Sequence, residues 1–149
     1  MKSLLATGDS WPSLLVRLGL GVAILPHGLQ KVFGLFGGSG LHGTFAMFSA
    51  LHIPVWLGIL VLIVETLGAF GLIIGFLTRI AALGIVCDMV GAVYKVHYHV
   101  GFFMNWSGQQ HGEGFEYHIL AIGIGLALII AGGGKWSIDR RLAGGTRRW

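Results

Sequence analysis

The fold of this chain is decided by residues 53–77, IPVWLGILVLIVETLGAFGLIIGFL. The segment is apolar throughout except for Glu65 and its neighbour Thr66. At a helical rise of about 1.5 Å per residue, some 25 residues extend roughly 37 Å, which exceeds the hydrocarbon core of a bilayer at about 30 Å. A helix that is apolar on every face is typical of a membrane span. The segment therefore predicts a transmembrane helix that carries one carboxyl group about halfway along its length.

The composition extends this prediction to the whole chain. Its 149 residues are 54% hydrophobic and 11% charged, and the mean hydropathy is +0.79. These values are typical of polytopic membrane proteins, and the 26 glycines suit close packing of transmembrane helices. The predicted fold class is all-α, a membrane four-helix bundle in one domain over residues 1–149. The spans are expected at about residues 13–36, 53–77, 80–96 and 115–131, with a basic tail at residues 132–149.

The lysines and arginines predict the orientation of this bundle, because cytoplasmic loops of membrane proteins carry an excess of both. With four spans, one side holds Lys2, Arg79, Lys135, Arg140, Arg141, Arg147 and Arg148. Lys31 and Lys95 lie at the opposite ends of their spans. Both termini are therefore expected in the cytoplasm, and the pI of about 9.6 reflects topology and contact with membrane lipid. Nucleic-acid-binding motifs are absent, and the single cysteine, Cys87, excludes an internal disulfide.

Two acids inside the predicted spans are candidate catalytic residues. Glu65 and Asp88 are expected at similar depth, and Arg17 opens the first span below them. Two carboxylates in a dry site do not both ionise cheaply, so one holds a proton or pairs with a cation. One interpretation is an Arg17–Glu65–Asp88 cluster for proton chemistry or for binding a polar ligand. In the other, Arg17 extends to the inner surface while protonated acids bond neighbouring helices.

Polar residues also gather in the outer half of the predicted bundle. His27, Gln30 and Lys31 share one helix face through their spacing, and with Glu65 and His118 they form a candidate cofactor site. A candidate metal set comprises His97, His99, His111, Glu116 and His118. Imidazoles with carboxylates ligate Zn, Cu or Fe, or move protons, and two histidines can hold a haem. No spacing matches a specific metal motif, and interfacial hydrogen bonding is the alternative for each histidine.

Three segments resemble the DoxX family. They are RLGLGVAILPHGLQKVFG at residues 17–34, ETLGAFGLIIGFLTRIAAL at residues 65–83, and GEGFEYHILAIGIGLALIIAGGGKWSIDRRL at residues 112–142. The shared features are an Arg opening the first span, HG-x-x-K at its outer end, a Glu in the second span before a GFLTR turn, and a final glycine stretch followed by SID. The chain is identified as a member of this family.

The resemblance implies a four-helix protein of the bacterial inner membrane. Some relatives are subunits of a thiosulfate:quinone oxidoreductase, and others are linked to membrane-associated oxidative-stress complexes. The family motif falls on Arg17, His27, Lys31 and Glu65, with Glu116 and His118 as further matches. A quinone would suit a polar pocket with a protonatable residue. The chain has no flavin or iron–sulfur motif, so an enzymatic role would require a redox partner protein or a bound cofactor.

Three functions are consistent with these observations. The first is a quinone-associated subunit of a membrane redox system, with the buried acids and outer histidines binding a quinone, haem or metal ion or handling protons. The second is a non-catalytic membrane scaffold or assembly partner for soluble redox or stress-response enzymes. The third is a small-solute or proton transporter, against which the spans show no clear inverted repeat. Faces of small residues would also permit a homodimer.

Overall fold

The computed structural model describes residues 2–144, which are helical and contain no β-strand. The helices are α1 Lys2–Leu5, α2 Trp11–Phe33, α3 Gly40–Ala50, α4 Val55–Ile74, α5 Thr78–His97, α6 Glu116–Ala131 and α7 Ile138–Leu142. The all-α prediction is therefore confirmed over the described range. Arg147 and Arg148, which contributed to the predicted basic tail, lie outside it.

Three of the helices are long and apolar enough to cross a membrane. They are α2, with 23 residues, and α4 and α5, with 20 residues each. Helix α6 is apolar but has 16 residues, which corresponds to about 24 Å. Large apolar side chains cover the outside of these helices, including Val22, Leu67, Phe70, Leu83, Leu120 and Ile130. Such an exterior suits contact with lipid tails.

The interior is small and tightly packed. Its apolar residues come from all four of these helices and include Leu20, Ile24, Leu72, Ile85 and Leu128. Helix α2 approaches α4 closely because glycine occupies the contact positions. A Cβ atom on Gly28 would lie 2.6 Å from the backbone carbonyl of Glu65, and one on Gly21 would lie 2.9 Å from that of Ala69. Close backbone approach through small residues is the usual way that membrane helices pack.

Helix α2 has well-defined ends. The Ser10 hydroxyl accepts a hydrogen bond from the Ser13 amide at 3.2 Å, and Pro12 occupies the first turn. The helix stops at Gly34, whose φ of 69° is left-handed and whose amide donates to the Gln30 carbonyl at 3.1 Å. Helix α3 follows within the connection between the first two predicted spans, which begins with Gly37 and Gly38.

The turn between α4 and α5 differs from the prediction. The sequence placed it at Thr78 and Arg79, but α4 ends at Ile74 and Thr78 is already the first residue of α5. Gly75, with φ of 70°, ends α4. The amides of Leu77 and Thr78 donate to the Asp139 carboxylate at 2.7 and 2.8 Å. The start of α5 is thus capped by a residue distant in sequence, which local turn chemistry does not reveal.

Candidate functional site

Glu65 is positioned by a π turn, Val64–Gly68, in the middle of α4. Its side chain is buried, and the residue is 4% exposed. Within the same turn, the Thr66 hydroxyl donates to the Leu62 carbonyl. π turns inside α-helices are rare and are frequently found at functional sites. We therefore take Glu65 as the centre of the candidate site.

Lys31 on α2 is the ionic partner of Glu65. Its ammonium group donates to both oxygens of the Glu65 carboxylate. The Lys31 side chain is 24% exposed and that of Glu65 is 5% exposed. Gly28, one turn earlier on α2, allows the two helix backbones to come close enough for this pair. Because both charges have left bulk water, loss of either partner would leave the other poorly compensated.

Asp88 on α5 adds a second carboxyl group to this pair. It neighbours both Glu65 and Lys31. Its Oδ2 atom is buried and has no hydrogen-bond partner among residues 2–144. One ammonium group balances one carboxylate, so the charge balance of this dry region favours a bound proton on the second. The structure thus brings together the two acids that the sequence placed at similar depth.

Helix α6 contributes two further buried polar atoms that lack a partner in the described part of the chain, Tyr117 Oη and His118 Nδ1. Tyr117 lies within electrostatic range of Glu65, and His118 lies within range of His27. The His118 ring is also 4.2 Å from the ring of His97, centre to centre. We define the buried polar cluster as His27, Lys31, Glu65, Asp88, Tyr117 and His118.

One member of the buried polar cluster lies at the protein surface. His27 is exposed on α2 and lies within electrostatic range of Glu65 and Lys31. The other five members are buried or half-buried.

Arg17 lies in a different environment, near the end of the bundle formed by the α4–α5 turn. The residue is 1% exposed. Its Nε donates to the Gly133 carbonyl at 2.8 Å, and its Nη1 donates to the Leu72 carbonyl at 2.8 Å. Its Nη2 donates to the Lys135 carbonyl at 3.2 Å. Asp139 lies within electrostatic range, so the guanidinium is paired with oxygen acceptors on several sides.

The predicted Arg17–Glu65–Asp88 cluster is therefore not formed. Lys31, which binds Glu65, follows Arg17 on the same helix by a distance of about 21 Å along the axis. Arg17 also does not extend to the surface, which was the other interpretation. The last carbonyl groups of a helix lack partners within the helix, and those at the end of α4 bind this guanidinium instead.

Arg79 plays a similar part at the same end of the bundle. Its Nη1 donates to the carbonyls of Ile129 and Ile130 in the last turn of α6. Its Nη2 donates to the Ala6 carbonyl at 3.0 Å. We define the arginine cluster as Arg17, Arg79 and Asp139. These residues join helix ends through backbone groups, which identifies the arginine cluster as a structural centre.

The remaining predicted site residues are dispersed. Gln30 donates to the Phe36 carbonyl at 3.2 Å, outside the buried polar cluster. The Glu116 carboxylate accepts from the Met104 amide and the Trp106 indole, both at 3.0 Å. His99 and His111 are exposed. Within residues 2–144, no three His, Cys, Asp or Glu side chains are arranged to hold a metal ion. Of the five predicted ligands, the structure brings together His97 and His118 and not the other three.

Two residues of these clusters, Tyr117 and Asp139, were not predicted as site residues from the sequence. Tyr117 stands beside His118 at the start of an apolar helix, where a phenol needs a hydrogen-bond partner if it is buried. This need for a partner is the sequence feature that could have identified Tyr117. Asp139 appeared as part of the family feature SID without a role, and its role became apparent from its contacts with the α4–α5 turn.

Comparisons with known proteins agree with the resemblance. The DoxX family model matches residues 13–98. An uncharacterized membrane protein of Mycobacterium tuberculosis is 29% identical over 157 residues, covering 93% of this chain and 91% of its own. A Bacillus subtilis protein named "Putative oxidoreductase CatD" is 27% identical over 116 residues, covering 78% of this chain and 77% of its own. No solved structure matches the chain.

Proposed function

Because the chain belongs to the DoxX family, we propose that it is a quinone-associated subunit of a membrane redox system and that its buried polar cluster binds the quinone head group. The main support is that three of the five buried polar atoms without partners in residues 2–144 belong to this cluster: Asp88 Oδ2, Tyr117 Oη and His118 Nδ1. The other two, Thr78 Oγ1 and Arg79 Nε, lie at the start of α5. A buried polar group without a partner is costly, so native proteins rarely retain three near one charged pair. A polar ligand would provide hydrogen-bond partners for these atoms.

The chemistry of the buried polar cluster suits a quinone. A quinone head group presents carbonyl oxygens that accept hydrogen bonds, and when bound it supplies electron and proton transfer. The Tyr117 hydroxyl is a donor, and the His118 ring nitrogen donates in one tautomer. A protonated Asp88 would donate as well, with Lys31 and Glu65 holding the local charge balance. These residues would orient the head group and hold the protons that its reduction consumes.

Access to the proposed site suits a lipid-soluble ligand. His27 is exposed on α2 within electrostatic range of Glu65 and Lys31, and we propose that this side of α2 faces lipid. A quinone moves within the bilayer, so its head group would approach at His27 while its tail stays among lipid chains. The exposed position of His27 would make it the first polar contact.

The electrons would come from another protein. The chain has one cysteine and carries no flavin or iron–sulfur motif. The Bacillus subtilis relative, "Putative oxidoreductase CatD", supports a redox role by its name. We therefore propose a soluble or membrane-bound redox partner that delivers electrons to the quinone. The residues of this chain would bind the quinone and manage its protons.

The proposed topology has four spans in a bacterial inner membrane, with both termini in the cytoplasm. Helices α2, α4 and α5 are long enough, and α6, although shorter, contributes to the same apolar core. Arg79, Arg140 and Arg141 lie near one end of the bundle, whereas Lys31 and Lys95 lie towards the other, as the positive-inside rule requires. Reporter fusions after residues 36, 77 and 111 test this arrangement. A cytoplasmic signal from residue 36 would contradict it.

The binding experiment uses the full-length protein, purified in detergent and titrated with a short-chain quinone. We expect saturable binding, and we expect Glu65→Gln and His27→Ala to weaken it by about tenfold or more. His42→Ala is the matched control, because His42 is an exposed histidine on α3 outside the buried polar cluster. Equal binding by all four proteins, or none by the wild type, would contradict the proposal. Capture of a redox enzyme without quinone binding would support the scaffold instead.

A further inference from the structure

A second surface of the protein lies apart from the buried polar cluster. A groove of about 850 Å³ runs between the end of α3, the last turns of α5 and the first turns of α6. Its walls are formed by Ala50, Leu51, His52, Val90, Val93, Tyr94, Lys95, Tyr98, His99, Phe115, Ile119 and Ile122. We define this surface as the α5–α6 groove.

The α5–α6 groove is lined by one lysine and by no acidic residue. Lys95, His52 and His99 contribute an ammonium group and two imidazoles. The ion pairs of the described residues are Lys31 with Glu65 and Arg140 with Asp9, so Lys95 has no carboxylate partner there. The groove is therefore complementary to an anion.

The rest of the α5–α6 groove is apolar and long. Its apolar lining includes Val90, Val93, Ile119 and Ile122, and Tyr94 and Tyr98 add two aromatic side chains. From Val90 to His97, where α5 ends, the helix rises about 10 Å, which is about two-thirds of one leaflet of a hydrocarbon core about 30 Å thick. Tyrosines are enriched where lipid head groups meet hydrocarbon. The groove thus has an apolar wall that can contact much of an acyl chain, with the Lys95 ammonium group near the end of α5.

A π turn separates this groove from the buried polar cluster. The turn Val93–His97 ends α5 and carries both Lys95 and His97. His97 stacks near His118, whereas Lys95 lines the groove. Occupation of the groove and quinone binding would therefore depend on different side chains.

We propose that the α5–α6 groove binds one anionic phospholipid, with its phosphate at Lys95 and His99 and one acyl chain along Val90 and Ile119. The apolar wall distinguishes this occupant from a free phosphate, and the Lys95 ammonium group, which has no carboxylate partner among the described residues, favours it over a zwitterionic lipid. The inference does not rest on the proposed quinone function.

The experiment is native mass spectrometry of the delipidated full-length protein with phosphatidylglycerol or phosphatidylcholine. We expect one retained phosphatidylglycerol and weaker retention of phosphatidylcholine. Lys95→Gln should lower phosphatidylglycerol retention by about fivefold, since one lysine near a membrane surface contributes on the order of that factor. Lys95→Arg should keep it. Ile119→Trp should reduce retention of both lipids by filling the apolar wall while leaving Lys95 in place.

Two further comparisons test where on the protein the lipid binds. A photoactivatable acyl chain on phosphatidylglycerol should label the peptides that contain Val90 or Ile119. Arg141→Gln removes a cation of equal charge from the opposite end of the bundle and should not reduce this labelling. An equal reduction by Arg141→Gln and Lys95→Gln would overturn the proposal. Displacement of the lipid by an equal concentration of glycerophosphoglycerol would also overturn it, because the chains would then contribute nothing.

Discussion

The buried polar cluster and the arginine cluster both place charges among apolar helices, but the hydrogen-bond partners of their polar groups differ. In the arginine cluster, Arg17 and Arg79 donate to backbone carbonyls at helix ends, and Asp139 accepts from backbone amides. In the buried polar cluster, atoms on Asp88, Tyr117 and His118 have no partners among residues 2–144. At the arginine cluster, Arg79 Nε and the neighbouring Thr78 Oγ1 also lack a partner in the described residues, but each guanidinium group there is held by backbone carbonyls. We therefore take the arginine cluster as structural, and the unpartnered atoms beside the Lys31–Glu65 pair as the place where a ligand would bind.

The largest effect on stability is expected at Arg17. Arg17→Leu would remove the donors of several buried carbonyls and should lower the free energy of unfolding by about 3 to 5 kcal/mol. Thermal unfolding in detergent measures this loss. The control is Arg141→Leu, because Arg141 is exposed. Equal stability of the two variants would show that the buried Arg17 contributes no more to folding than an exposed arginine does.

Glu65→Gln should have the next largest effect. It leaves the Lys31 ammonium group without its counter-charge, and because Lys31 is partly exposed, we expect a loss of about 2 kcal/mol. The double variant Lys31→Met, Glu65→Gln should recover much of that stability, yet it should not recover quinone binding. Thermal unfolding and quinone titration of the same samples separate the two effects. Recovery of binding in the double variant would argue against a role for the pair in the site.

A smaller change in stability is expected at Asp139. Asp139→Ala would leave the Leu77 and Thr78 amides uncapped, which costs about 1 to 2 kcal/mol. Asp9→Ala is the matched control, since Asp9 forms an ion pair with Arg140 while 48% exposed, and such pairs contribute about 0 to 1 kcal/mol. Chemical denaturation in detergent compares the two variants. Equal losses would show that capping by Asp139 is unimportant.

Tyr117→Phe should have the smallest effect on stability. The hydroxyl has no partner among the described residues, so its removal should change the free energy of unfolding by about 0.5 kcal/mol or less. Quinone affinity should nevertheless fall about tenfold, because a ligand donor is lost. Tyr94→Phe, at a tyrosine that is 76% exposed, should change neither quantity. A stability loss at Tyr117 without a binding defect would identify it as structural.

The sequence predicted the helical class well because its apolar segments are long. Residues 53–77 are apolar over a length that can span a bilayer, which favours a transmembrane helix, and α4 occupies most of that segment. Glu65 and Asp88, which were expected at similar depth from the rise per residue, are also neighbours in the structure, although the turn between their helices lies earlier than predicted.

Partner choice was harder to predict, and Arg17 shows why. A search for charge pairs matches an arginine to the nearest buried acids, but the end of a helix offers carbonyl groups that compete for the same guanidinium. The sequence shows which side chains are present but not which backbone carbonyls lie within reach of them, so this competition was not predicted. Lys31 was among the predicted site residues, but its pairing with Glu65 depends on the close approach of two backbones at Gly28. That distance follows from tertiary packing.

The capping of α5 by Asp139 has a consequence for biosynthesis. The α4–α5 hairpin is translated and can enter the membrane well before residue 139 leaves the ribosome. Until then the Leu77 and Thr78 amides must bind water or lipid head groups. The hairpin therefore reaches its final hydrogen bonding only after a segment that follows it by 61 residues has been made.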